Sequence, residues 1–126
     1  MDNESRTLNK TGEWGEIYVN RYVRKKGFDV IAANYNCRFG EADIICLDKK
    51  TLVFVEVKSR SGKMIAEPRE YVGEQKQRKL ILTASYFLRH SKLDLPVRFD
   101  VAEVYFKDVN NYKNYKINYI EDAFRI

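Results

Sequence analysis

The spacing of apolar residues changes period several times along the chain, and the changes predict an α-β-β-β-α-β-β order. Trp14, Ile17, Tyr18, Tyr22 and Val23 recur near helical spacing, which predicts a first helix over 11–26 with Thr11 as its cap and Gly27 as its stop. Residues 28–33 suit a strand, 34–40 a polar turn and 42–47 a second strand. Asp48, Lys49 and Lys50 then turn the chain into a third strand over 51–58, so the second and third strands form a hairpin. Residues 59–73 lack periodicity and include Gly62, Pro68 and Gly73, the composition of a loop. A second helix is predicted over 74–90, with Leu80, Ile81, Ala84, Phe87 and Leu88 on one face and Gln75, Lys76, Lys79 and Arg89 away from it. A strand over 97–106 and a tyrosine-rich edge strand over 115–120 complete the chain. The order predicts an α/β fold, a central mixed sheet of about five strands with a helix on either side.

The third strand carries an anomaly. Val53, Val55 and Val57 line one face, and Leu52, Phe54, Glu56 and Lys58 line the other. Both faces are apolar at the start, as in a central strand covered on both sides. The charges come only at its end, where ligand sites of such sheets gather. An exposed salt bridge would also account for the pair. In the second strand Asp43, Ile45 and Leu47 share one face, while Ala42, Ile44 and Cys46 share the other. The turn at 48–50 brings Asp43 near Glu56 across the hairpin. Two opposed carboxylates repel, and a hard divalent cation, Mg²⁺ or Mn²⁺, resolves the repulsion. Lys58 then lies on the metal side, placed to orient a water or to stabilise charge on a phosphate.

Composition narrows the classes. The 126 residues suffice for one domain with its own core, here 1–126. No apolar run approaches a membrane span or a signal peptide, so a cytoplasmic protein with no membrane partner is expected. Cys37 and Cys46 form no CxxC motif and are expected to be reduced, Cys46 in a buried strand. His90, the sole histidine, is expected near a helix end, which removes most Ser-His, Cys-His and multi-histidine mechanisms. Net charge is +5, and Lys58 to Lys92 alone carries nine basic and three acidic residues, leaving −1 for the rest. Such a segment suits a polyanion, above all a phosphate backbone, although a solvated helix face has the same composition. An RNA-binding sheet of the RRM kind fits less well, because "TLVFVEV" lacks that module's glycine and paired aromatics.

Asp43 followed by Glu56-Val57-Lys58 resembles the D...(D/E)xK signature of the PD-(D/E)XK nuclease superfamily. More narrowly, "GEADII" at 40–45, "VFVEVKSR" at 53–60, "GE" at 15–16, "GFDVIAANY" at 27–35, "EQKQRKLILTASYFL" at 74–88 and "RFDV" at 98–101 resemble the YraN-type family of small bacterial proteins. The resemblance covers nearly the whole chain and implies a restriction-endonuclease-like core. It implies a metal-dependent endonuclease hydrolysing DNA phosphodiester bonds, as in Holliday junction resolvase-like enzymes acting on branched structures, or else a catalytically silent nucleic-acid-binding protein on that scaffold. By position, Asp43, Glu56 and the Val57 carbonyl match metal ligands, Lys58 the catalytic lysine, and Glu16 an extra glutamate that resolvase-like branches place near the metal. Glu41 matches a family glutamate and is expected to point away from Asp43 in a turn or supporting role. Lys76 is matched to phosphate contact, with Gln75 and Lys79 as neighbours and Arg60 and Arg98 steering DNA. Ala42 stands where the signature has proline. Resolvase-like relatives cut as dimers, which the resemblance makes an open option here; no stripe marks an interface, since each apolar face is needed for the core, and the sequence leaves a homodimer undecided.

Overall fold

The computed structural model describes residues 3–62 and 72–125. Of the loop and basic segment expected above, Lys63, Glu67, Pro68, Arg69 and Glu70 lie outside the described residues. The elements are α1 (Asn3–Lys25), β1 (Asp29–Cys37), β2 (Gly40–Asp48), β3 (Thr51–Ser61), α2 (Glu74–Ser91), β4 (Val97–Asp108) and β5 (Asn111–Phe124). They form one sheet in the order β1-β2-β3-β4-β5, parallel between β3 and β4 and antiparallel elsewhere. The parallel pair follows from its connection, because the chain between β3 and β4 includes α2, which covers one face of the sheet.

Alternation along β3 supplies two cores. Val53 and Val55 pack with Val19 and Val23 of α1, and with Ala102 and Val104 of β4. Leu52 and Phe54 pack on the opposite face with Leu80 and Ala84 of α2, and with Phe99 and Val101. The side chains from Leu52 to Val55 are all fully buried, as expected of a strand covered on both sides. The apolar face predicted for the second helix is the one it buries. Among the described residues no helix is long and apolar enough to cross a membrane.

Several boundaries differ from the sequence prediction. The first helix begins at Asn3, so Thr11 is interior and caps nothing; its Oγ1 lies 3.3 Å from the Tyr112 hydroxyl. Residues 3–10 carry no apolar stripe, which is why periodicity missed them. The predicted polar turn at 34–40 shrinks to Arg38 and Phe39, since Tyr35, Asn36 and Cys37 pair with Ala42, Glu41 and Gly40. β3 continues to Ser61, held by parallel pairing of Arg60 and Ser61 with Tyr105 and Phe106. β5 is the expected edge strand, but runs from Asn111 to Phe124.

Candidate functional site

The β2–β3 ladder ends at the pair Ile44 and Val55, one step before Asp43 and Glu56 would face each other. There a side chain replaces the ladder: Asp43 Oδ2 accepts a hydrogen bond from the Val57 N–H at 2.8 Å. The strand also changes phase. Ala42 packs with Ile45 on the α2 side, whereas Ile44 and Cys46 pack on the α1 side, so the expected grouping of Ala42 with Ile44 and Cys46 is corrected. Strict alternation requires a continuous ladder, and this one stops at Ile44.

Both carboxylates are largely removed from water, Asp43 at 9% exposed and Glu56 at 4%. Burial and then the charge of Glu56 push the Asp43 carboxyl up to about 7; the Val57 N–H opposes this, and Glu16 and Glu41 add to it. Glu56 is balanced by two ammonium groups. Lys76 Nζ lies 2.6 Å and Lys58 Nζ 3.5 Å from Glu56 Oε2. The two lysines share one oxygen and diverge. Burial and the neighbouring Lys76 lower the pKa of Lys58. Burial opposes a rise at Lys76, but the hydrogen bond to Glu56, the neighbouring Lys58 and the charges of Glu56 and Asp43 together outweigh it, so Lys76 holds its proton more tightly.

The first turns of α2 and the ends of β2 and β3 enclose a cleft of about 550 Å³, lined by Glu41, Asp43, Glu56, Gln75, Lys76 and Lys79 among others. It joins the acidic pair to three of the residues assigned to nucleic-acid contact. Glu41 lines the same cleft as Asp43, correcting the expectation that it points away: residues two apart on a strand share a face.

Asp43 also borders a second cleft of about 550 Å³ on the α1 side, together with Glu16, Asn34 and Arg21. Glu16 reaches it because of Gly15. A Cβ at Gly15 would stand 1.7 Å from Ser59 Oγ, so only glycine lets α1 lie this close to the end of β3. Burial raises the Glu16 pKa; a hydrogen bond with Asn34 opposes this, and Glu41 and Glu56 add to it. Asn34 was missed in the sequence, although asparagine tolerates the positive φ of 52° it adopts here. Glu103 was missed too. It is buried on β4, in register with Lys58, and accepts a hydrogen bond from Asn118 Nδ2 at 2.7 Å.

Other expected residues lie elsewhere. Arg60 is exposed near the end of β3, in register with Tyr105. Arg98, expected to steer DNA, sits beside Val53 and is held by both oxygens of buried Asp100, at 2.9 and 3.0 Å, and by Asp48 at 2.9 Å. A guanidinium so engaged has few donors left for phosphate. His90 lies in the last turn of α2, its Nδ1 3.0 Å from the Tyr86 carbonyl. Cys46 is a free, buried thiol, and Cys37 is also free.

Hard oxygen donors and a carboxyl whose ionisation is opposed by its neighbours suit a divalent cation. Among the described residues no three His, Cys, Asp or Glu side chains cluster closely enough to enclose an ion. The donor set of Asp43, Glu56 and the Val57 carbonyl therefore suits an ion that keeps several waters, as Mg²⁺ does.

Comparison with known proteins extends over most of the chain. It is 38% identical over 116 residues to a UPF0102 protein of Clostridium perfringens, covering 91% of this chain and 93% of that protein. A UPF0102 protein of Clostridium beijerinckii is 39% identical over 116 residues, 91% of this chain and 93% of its own length. One from Caldicellulosiruptor bescii is 39% identical over 119 residues, 93% of this chain and 98% of its own length. Residues 15–104, from Gly15 at the α1 crossing through Asp43, Glu56, Lys58 and α2 to β4, match the family described as uncharacterised protein family UPF0102, and the chain belongs to that family.

Proposed function

We propose that the protein is a metal-dependent endonuclease of the PD-(D/E)XK kind, hydrolysing DNA phosphodiester bonds, with branched structures as its preferred substrates. The observation that carries this reading is the pair of buried carboxylates, Asp43 and Glu56, facing a lysine-lined cleft at the point where β2 leaves β3. Asp43, Glu56 and the Val57 carbonyl would hold Mg²⁺ or Mn²⁺, which when bound supplies a water of lowered pKa and charge stabilisation at the phosphate. The chain's own groups do the rest. Lys58 Nζ lies 3.5 Å from Glu56 Oε2, its pKa lowered by burial and by Lys76, and would orient a water or stabilise charge at the phosphate. Lys79 and Gln75 line the same cleft and receive the phosphate backbone. Glu16 borders Asp43 from the α1 side, and its negative charge adds to the attraction of the site for a cation.

A second reading rests on a specific contact. Lys76 Nζ lies 2.6 Å from Glu56 Oε2, so an ammonium already neutralises that carboxylate. This favours a nucleic-acid-binding protein that retains the scaffold without cutting. A cleavage panel separates the two: linear duplex, single strand, flap and four-way junction, with Mn²⁺ and then Mg²⁺, for the native protein, Asp43→Ala and Glu56→Ala. Cleavage lost in both variants supports the nuclease. Binding without cleavage, unaltered by Asp43→Ala, supports the silent module.

A further inference from the structure

We propose that the β1–β2 turn and the adjoining face of α2 form a stacking platform for unpaired bases of a nucleic acid whose backbone enters the Asp43–Glu56 cleft. The proposal rests on the nucleic-acid reading above and specifies which part of the substrate is recognised. The turn residues Arg38 and Phe39 lead directly into Gly40 and Glu41, which line the cleft. Gly40 ends the turn beside Thr83 and Lys79 of α2, in a backbone conformation (φ +146°) that favours glycine.

That docking brings four side chains into one row. The Arg38 guanidinium carbon lies 4.8 Å from the Phe39 ring centroid. Phe39 meets Tyr86 edge-on at 6.0 Å, and Tyr86 stacks on His90 at 3.9 Å. Neither Phe39 nor Tyr86 joins either core cluster, so their rings are not explained by the packing of the sheet. On α2 the row continues toward the cleft at helical spacing. Lys79, Leu82 and Tyr86 follow one another at intervals of three and four residues, and Leu82 is 47% exposed. Aromatic faces beside cations, continuous with a lysine-lined cleft, are the elements of a single-strand site, where bases stack and the backbone follows the charge. A paired duplex keeps its bases stacked on one another and gains little from such rings. The platform therefore selects flaps, overhangs and the open centres of junctions over blunt duplex.

The test is fluorescence anisotropy in EDTA, which prevents cleavage, with a labelled duplex carrying a single-stranded overhang and a blunt duplex of the same length. The native protein should bind the overhang more tightly by roughly 5- to 150-fold, the range expected for one stacked base. Phe39→Ala with Tyr86→Ala should remove most of that preference and leave blunt-duplex affinity within about twofold. Phe39→Leu keeps apolar volume but lacks the ring, and should fail like alanine. Tyr86→Phe keeps the ring, and should bind like the native protein. Thermal melts of each variant verify that it folds. A double variant that retains the full preference overturns the proposal, as does a native protein that binds both DNAs equally while still binding DNA. A native protein that binds neither overturns the nucleic-acid reading, and the platform with it.

Discussion

Replacing Asp43 by asparagine should stabilise the protein at neutral and alkaline pH, although it removes a residue of the candidate site. The Asp43 carboxyl has an ordinary value of 3.8 and is pushed up to about 7 in the folded chain, by burial first and by Glu56 next. Between those values the folded protein holds a proton that the unfolded chain has released. Stability attributable to this group therefore falls as pH rises from about 4 to about 7, and the cost is fully present above that window. A span of about three pH units at ~1.4 kcal/mol each sets a ceiling of about 4 kcal/mol. Relaxation and water entering the cleft reduce this to about 2 kcal/mol, or roughly 8 °C in melting temperature for a domain of this size. Asparagine keeps an oxygen for the Val57 N–H, so the hydrogen bond at 2.8 Å survives the substitution. The assay is thermal denaturation by circular dichroism from pH 4.5 to 8.5 in metal-free buffer, native against Asp43→Asn. The advantage of the variant should be largest at pH 8 and shrink to below ~1 kcal/mol at pH 4.5. A variant no more stable than the native protein at pH 8, or a difference independent of pH, would refute the reasoning.

Divalent cation should narrow that gap: at tenfold above its Kd, Mn²⁺ should stabilise the native protein by ~1.4 kcal/mol and leave Asp43→Asn nearly unchanged, as read in the same melts. Gly15→Ala should destabilise by about 1–3 kcal/mol, because its Cβ meets Ser59 Oγ; Ser59→Ala should relieve part of that loss in the double variant. Ser59→Ala alone should be neutral or slightly stabilising in urea titration, since the buried Ser59 hydroxyl lacks a hydrogen-bond partner. Asp100→Ala should cost about 3–5 kcal/mol, because it strands Arg98, the Tyr119 hydroxyl and the Asp122 N–H, all of which donate to that buried carboxylate. Chemical denaturation reads the last change directly.

The sequence made the element order and the two-sided burial of β3 legible because both depend on local periodicity. Leu52 to Val55 announce a central strand whatever covers it, and Leu80, Ala84 and Phe87 announce the face α2 buries. The start of α1 was not legible, since the sequence of its first turns carries no apolar stripe that periodicity could detect. The extension of β1 through Asn36 and Cys37 was hidden for a different reason: pairing with Glu41 and Gly40 overrides the turn propensity of an asparagine-rich stretch. In the site, Asp43 and Glu56 could be matched because a hairpin relates them by counting. The contact of Lys76 with Glu56 could not, because it depends on where α2 lies across the sheet. Glu41 was misassigned: residues two apart on a strand share a face, which groups it with Asp43.

That division has a kinetic side. Asp43 and Glu56 belong to a hairpin closed by a two-residue turn, a structure that forms in microseconds, whereas β3 finds β4 only after the intervening chain has looped back. The acids are therefore brought together early, and the ammonium of Lys76 reaches them only as the crossover docks. A contact made so late is absent from the folding transition state, so its loss is expected to appear in the unfolding rate. Lys76→Met should accordingly shorten the lifetime of the folded state while leaving the rate at which the chain folds almost untouched.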